Sequence, residues 1–324
     1  MAMETLEVVI DAMSRQGAGN VAVELMRADG AALPAFEAGA HVDVHLPGGL
    51  IRQYSIASPP ADRSRYVLCV RREPASRGGS ASVHERLRVG QALTISTPRN
   101  LFALRPGGHH VLVAGGIGIT PLLAMGHQLL AAGSSFELHY YVRSRQEIAF
   151  LRQLQGELGE RVHLHSAEEG RDARQVLPGA LDGAGNDHQL YLCGPAAFMD
   201  HITAAAQARG WDAARIHSEA FAPVVPVPSA DAAAQDAAFE VQLASSGQVY
   251  RVPADRTIAQ VLGEAGVPLS LSCEMGICGA CLTDVVEGMP DHRDSVQSET
   301  EKAGNRQITV CCSRSRSPRL TLAL

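Results

Sequence analysis

Three cysteines fall within SCEMGICGACL, the stretch that begins at Ser272, and their C-x4-C-x2-C spacing at Cys273, Cys278 and Cys281 constrains the C-terminal part of the chain more than any other feature. That spacing is the one by which a protein presents thiolates to a [2Fe-2S] centre, and it differs from the paired C-x2-C of zinc sites. Thiolates suit iron because they are soft donors. Two irons bridged by two sulfides take four of them, and the small residues Gly276, Gly279 and Ala280 let backbone N–H groups approach the sulfurs and stabilise their charge. The fourth thiolate must come from farther along. ITVCCSRS offers Cys311 and Cys312, and the spacing of the first three does not choose between them.

Composition agrees with metal use of the cysteines. Seven cysteines, an odd number, in a chain of 324 residues argue against a disulfide framework. The opening MAMETLEVVIDAMSRQ lacks the basic-then-apolar pattern of an export signal, and no apolar run reaches membrane-spanning length, so a cytoplasmic protein is expected, with no membrane association. A net charge of -6 gives no electrostatic reason to expect nucleic acid as a partner.

The rest of the chain divides by pattern. Residues from about Thr5 to Leu104 alternate short apolar runs with turn signals (TLEVVIDAM, VAVELMRA, HVDVHLP, RQYSIAS, RYVLCVRRE, ALTISTP), which predicts a closed or nearly closed antiparallel β-barrel with one short helix near ASVHERL. Beyond ALRPGGHHV the strands HHVLVAGG, FELHYYVRS, RVHLHSA and HQLYLCGP alternate with helical PLLAMGHQLLAAG, IAFLRQLQGEL and AAFMDHITAAAQARG, so an α/β domain with a parallel sheet is expected. The Pro- and Ala-rich stretch FAPVVPVPSADAAAQDAAF reads as a linker. The expected organisation is therefore a multidomain one: residues 1–104 as the barrel, 105–222 as the α/β domain, 223–238 as linker and 239–324 as the cluster domain.

Two turns in the α/β part point to a dinucleotide. VLVAGGIGITPLLAM runs from an apolar strand through Gly115, Gly116 and Gly118 into a helix whose first turn holds Thr120, and LYLCGPAAFM ends a second strand in Cys193, Gly194 and Pro195. Glycines allow close backbone approach to a pyrophosphate, and both turns would line the crevice at the carboxyl ends of the strands. In the barrel, RGGSASVHE from Arg77 supplies Gly78, Gly79, Ser80 and Ser82 at a helix N-terminus, suited to a phosphate monoester.

The segment from about Phe239 to Leu324 resembles a plant-type ferredoxin, whose C-x4-C-x2-C-x29-C motif lands on Cys311 and leaves Cys312 a bystander. The R-x-Y-S within RQYSIAS resembles the flavin motif of the ferredoxin-NADP reductase superfamily, which implies Arg52 on the flavin phosphate, Tyr54 against the flavin and Ser55 toward the ring edge. The order flavin barrel, nicotinamide module and C-terminal ferredoxin resembles the phthalate dioxygenase reductase family, including its vanillate demethylase type. That resemblance implies FMN as the flavin, NADH as the donor and a terminal Rieske oxygenase as the acceptor, with Phe221 of HSEAF near the flavin face. A hydride brings two electrons and a [2Fe-2S] cluster takes one, so a flavin between them is needed to split the pair. Thr120 and Cys193 are then expected beside the nicotinamide as positioning groups, and no general acid or base is called for. The other readings are a reductase for a cytochrome or another monooxygenase component, and a flavin and iron-sulfur redox sensor without turnover.

Coenzyme choice is the least decided point. The ribose 2′ position is read at the end of the second strand, where an acid would favour NADH; here the strand ends in Arg143, Ser144 and Arg145, and the first acid along the chain is Glu147. The family implies NADH with only modest discrimination. His109, His110, His139 and His165 are expected as boundary or core histidines, Cys69 as a core thiol, and Arg314, Arg316 and Arg319 as a solvated run, or else an edge for an acidic partner.

Overall fold

The computed structural model describes residues 4–74, 78–183, 185, 187–221 and 237–324; Arg77 and the expected linker as far as residue 236 lie outside them. Two compact units emerge, one ending at Phe221 and one reaching Leu324. No helix among the described residues is long and apolar enough to cross a membrane.

The first unit opens with β1 (Thr5–Arg15), β2 (Asn20–Met26), β3 (Ala40–Leu46), β4 (Leu50–Ser55), β5 (Tyr66–Arg71), the short helix α1 (Gly79–Arg86), β6 (Ala92–Ser96) and β7 (Arg99–Asn100). The strands order as β4-β3-β6-β1-β2-β5, with β7 beside β3. An antiparallel bridge between Ile56 and Leu68 ties the two ends together and nearly closes the barrel. Period-two patterning is the cause: Ile10, Leu25, Val42, Tyr66 and Ile95 are at most 0% exposed and fill the interior, each worth about 1.5–3 kcal/mol relative to exposure.

The chain then alternates β8 (His109–Gly115), α2 (Ile119–Ala131), β9 (Ser135–Val142), a single turn α3 (Leu151–Gln153), β10 (Val162–Ser166), β11 (His188–Cys193), α4 (Ala196–Gln207) and β12 (Ile216–Glu219). The sheet runs β10-β9-β8-β11-β12 with every pair parallel. Strand order reverses between β8 and β11, the usual place for a ligand crevice. Two expectations need correction. IAFLRQLQGEL forms one α turn and then a wider π turn over Leu154–Leu158, because Leu154 and Leu158 both bury and Gly156 resists regular helix. The fifth strand, β12, was not anticipated, since Ile216–Glu219 carries no apolar run.

Barrel and parallel sheet share one core. Ala22, Ala57 and Cys69 pack with Leu122, Tyr140 and Phe150, and Asn20 Nδ2 donates to the Glu147 carbonyl at 3.3 Å. Cys69 is the core thiol expected, pushed up to about 12 by burial.

The second unit consists of β13 (Phe239–Leu243), β14 (Val249–Val252), α5 (Ile258–Glu264), β15 (Leu282–Glu287), β16 (Pro290–Asp291), α6 (Glu299–Gly304), β17 (Gln307–Thr309), β18 (Arg314–Ser315) and β19 (Arg319–Leu322). Its main sheet is β14-β13-β19-β15-β17. Both helices start at capping boxes, Thr257 with Gln260 and Ser298 with Glu301, which satisfy the first free N–H groups. Arg314 is not part of a solvated edge: it is buried, donates to the carbonyls of Arg256 and Pro253 at 2.8 and 3.0 Å and lies over the Phe239 ring. Arg316 and Arg319 pair with Asp291 and Glu240.

Candidate functional site

The loop between α5 and β15 gathers Cys273, Cys278 and Cys281, and the turn after β17 brings Cys311 to them, all four thiols buried. Cys273 interacts with Cys278, as Cys281 does with Cys311; the thiol–thiol interaction lowers Cys273 and Cys281 while their partners are pushed up. Backbone N–H groups of Met275 and Ala280 donate to the sulfurs of Cys273 and Cys278 at 3.3 and 3.4 Å. Four thiols converging out of solvent with amide donors already aimed at them fit a [2Fe-2S] cluster. Gly276 has φ +72°, and a Cβ on it would come 2.5 Å from the Cys312 sulfur and 3.0 Å from Asp294 Cα. The loop therefore closes on a floor of Asp294 and Cys312. The Cys312 sulfur turns to the Thr309 hydroxyl at 3.2 Å, so this residue supports the turn rather than standing idle.

In the first unit the flavin candidates meet at the start of α1. A Cβ on Gly79 would come 2.6 Å from the Arg52 side chain, so the missing side chain is what lets the guanidinium arm lie against the helix N-terminus. Ser80 Oγ accepts from the Glu73 N–H at 3.1 Å, and Ser82 Oγ is buried without a partner among the described residues. An orphaned hydroxyl in the first turn of a helix that no side chain caps, with an arginine against Gly79, fits a phosphate. Tyr54 follows on the same strand, its phenol pushed up to about 12 chiefly by burial, and Ser55 is buried at the strand's end.

Both glycine turns come together at the switch point of the sheet. A Cβ on Gly118 would drive into the Cys193 carbonyl oxygen, and one on Gly194 would come 3.0 Å from Gly115 Cα. Gly116 takes φ +56°, a left-handed turn that suits glycine. Thr120 Oγ1 donates to the Ile117 carbonyl at 3.1 Å, which holds the turn before α2. Pro195 opens α4, and Phe221, 39% exposed, ends the unit.

One residue that the sequence reading passed over stands at the centre. Glu219, at the end of β12, is level with Cys193 on β11 and takes a hydrogen bond from the Ser55 hydroxyl of the barrel. Its Oε2 is out of solvent with no partner among the described residues, and burial pushes the carboxyl up to about 8 against the lowering effect of Ser55. Cys193 is raised well above the usual thiol range by burial and by Glu219, so it is a thiol and no nucleophile. The signal for Glu219 was its place two residues before Phe221 in HSEAF, after a helix that must lead back to the sheet.

The end of β9 also differs from its reading along the chain. Arg143 and Arg145 are exposed there, but β10 brings Glu168 and Glu169 alongside: the Arg145 N–H donates to Glu168 at 2.8 Å, and its side chain pairs with Glu169. Two acids therefore stand beside Arg145, supplied by the turn that follows β10.

Residues 241–316 match a family model described as a 2Fe-2S iron-sulfur cluster binding domain, and residues 96–216 match the N-terminal domain of dimethylamine monooxygenase subunit DmmA-like proteins. The chain is 49% identical to vanillate O-demethylase oxidoreductase of Pseudomonas sp. (strain HR199 / DSM 7063), over 98% of this chain and 100% of that one. Among solved structures it resembles phthalate dioxygenase reductase, described as modular for electron transfer from pyridine nucleotides to [2Fe-2S], at 36% identity and TM-score 0.74 over 99% of this chain and 98% of that one. An intact type IV self-sufficient cytochrome P450 monooxygenase matches at 36% identity and TM-score 0.84, over 99% of this chain and 41% of that one.

Proposed function

The chain belongs to the oxygenase-reductase family that includes vanillate O-demethylase oxidoreductase and phthalate dioxygenase reductase, and we propose that it carries electrons from NADH through FMN to a [2Fe-2S] cluster and on to the terminal component of a Rieske-type oxygenase. That it is an iron-sulfur oxidoreductase follows from the family and its cluster domain. The observation that carries the finer reading is the meeting of Ser55 with Glu219 and Cys193, where the R-x-Y-S strand of the barrel faces the two glycine turns of the parallel sheet.

In this reading FMN, when bound, supplies the change from a two-electron to a one-electron carrier. Arg52, Gly79, Ser80 and Ser82 would hold its phosphate, Tyr54 would lie against its ring, and Phe221 would stand near the flavin face. Gly115, Gly116, Gly118, Gly194 and Pro195 admit the NADH pyrophosphate to the backbone. Thr120 and Cys193 shape the nicotinamide pocket without bonding chemistry of their own. Glu219, raised to about 8, keeps its proton at neutral pH and stands with Ser55 where a buried carboxylate would repel an arriving hydride. Arg143 and Arg145 contact the adenosine, while Glu168 and Glu169 disfavour a 2′-phosphate. Cys273, Cys278, Cys281 and Cys311 ligate the cluster. Residence in the reducing cytoplasm accords with the thiol usage.

Anaerobic titration with NADH tests the whole path: flavin released by denaturation should be FMN, and the flavin and cluster bands should both bleach. Finding FAD, or a cluster that stays oxidised, would overturn the proposal. The resemblance to a chain that also carries a cytochrome P450 favours a second reading, with haem as the acceptor. Reduction rates toward a purified Rieske oxygenase and a purified P450 decide between them.

A further inference from the structure

On the face of the parallel sheet that α4 only partly covers, Glu137 and His139 of β9 lie beside His163 of the edge strand β10, with one ligand-type atom from each within 4.8 Å of the others. Register explains the grouping. Glu137 and His139 share a face because side chains alternate along a strand, and His163 pairs directly with His139. The two imidazoles stack at 4.6 Å between centroids and 22° between planes. Glu137 reaches both: Oε1 is 3.0 Å from His139 Nε2 and Oε2 is 3.9 Å from His163 Nε2. A bridging carboxylate between two imidazoles is a set of three convergent donors, and nothing in the redox reading makes use of it.

The outer contacts are those of a metal site as well. His139 Nδ1 lies 3.1 Å from His165 Nε2, and His165 Nδ1 lies 3.5 Å from Arg171 Nη2, so the inner imidazole is oriented from behind. His165 is itself clamped against the Tyr141 ring at 4.2 Å. Ligating histidines are characteristically held in this way through the second ring nitrogen. Burial is graded in the direction of an entrance: the side chains of His139, Glu137 and His163 are 7%, 23% and 44% exposed.

We infer that Glu137, His139 and His163 form a binding site for a divalent first-row transition ion such as Zn2+, cross-linking edge strand β10 to β9, with water completing the coordination on the open side. Two imidazoles and a carboxylate select this class over Mg2+ and Ca2+, which take oxygen ligands. The ion would replace the Glu137–His139 hydrogen bond with bonds from both to the metal. This site is independent of the flavin and the cluster, so it stands or falls apart from the proposed electron path.

The test is calorimetric titration of the cluster-loaded protein with Zn2+, alongside His163→Ala and Glu137→Gln. His163 is the most exposed of the three, and unchanged visible and circular-dichroism spectra control for folding. Wild type should bind about one ion more per chain than His163→Ala, Glu137→Gln should lose affinity by ~10-fold or more, and Zn2+ should raise the thermal midpoint of wild type only. X-ray absorption at the zinc edge should show nitrogen and oxygen ligands. Equal stoichiometry in wild type and His163→Ala, or sulfur ligation of the bound zinc, overturns the inference.

Discussion

The cluster loop and the crevice proposed for the nicotinamide are built in opposite ways. From Cys273 to Cys281 one segment supplies three of the candidate ligands and the amide donors to their sulfurs, and a single further turn supplies Cys311. The crevice has no such segment. Ser55 comes from the barrel, Cys193 and Glu219 from neighbouring strands of the sheet, and the charge balance at Arg145 from the strand beside its own. A site held by one loop should fail as a whole, whereas a site assembled from strand ends should degrade by one contact at a time.

The largest expected effect is at the cluster. Cys311→Ser should lose the iron and the visible absorbance altogether, while Cys312→Ser keeps both with at most a changed spectrum. Retention of iron by Cys311→Ser and its loss from Cys312→Ser would reverse the ligand assignment. Next comes Gly118→Ala, where the new methyl meets the Cys193 backbone and has no flexible group to displace. Overpacking of this kind costs about 1–3 kcal/mol, read as a lower denaturation midpoint of the first unit with the cluster spectrum unchanged.

Glu219 gives an intermediate effect with a definite sign. Its carboxyl is raised from an ordinary 4.5 to about 8 in the folded unit, so the stability linked to it is full below 4.5 and is lost as pH climbs through about 8. Glu219→Gln should flatten that decline. It should also change flavin reduction by NADH more than NADH binding, which stopped-flow measurements at several pH values separate. A wild-type stability that is flat from pH 5 to 8 would remove the buried acid from the account.

The smallest effect sharpens the contrast. Glu169→Gln frees Arg145 from its partner at the proposed ribose site, and kcat/KM for NADPH should rise relative to NADH by roughly tenfold, a difference of about 1.4 kcal/mol. No change in the ratio would mean that the acids at the end of β10 do not read the coenzyme.

How far each region could be read in advance follows from the same contrast. Cysteine spacing is local, so the cluster residues and the ferredoxin-like unit were visible in one stretch of sequence. Barrel strands were visible through alternation, and the central strands of the parallel sheet through their apolar runs. What escaped was non-local. Glu219 sits on a strand with no apolar run, Glu168 and Glu169 act on Arg145 across a strand pair, and Arg314 turns inward because three carbonyls and the Phe239 ring await it. His139 was legible as a core histidine, but only the pairing of β9 with β10 puts His163 beside it.

The close approach that Gly118 permits has a chemical side as well. Cys193 beside it is 0% exposed, and that burial keeps the sulfur protonated. Peroxide attacks thiolates that it can reach. A sulfur at this position is therefore protected from oxidation by its burial, beside a glycine whose missing side chain lets two backbone segments touch.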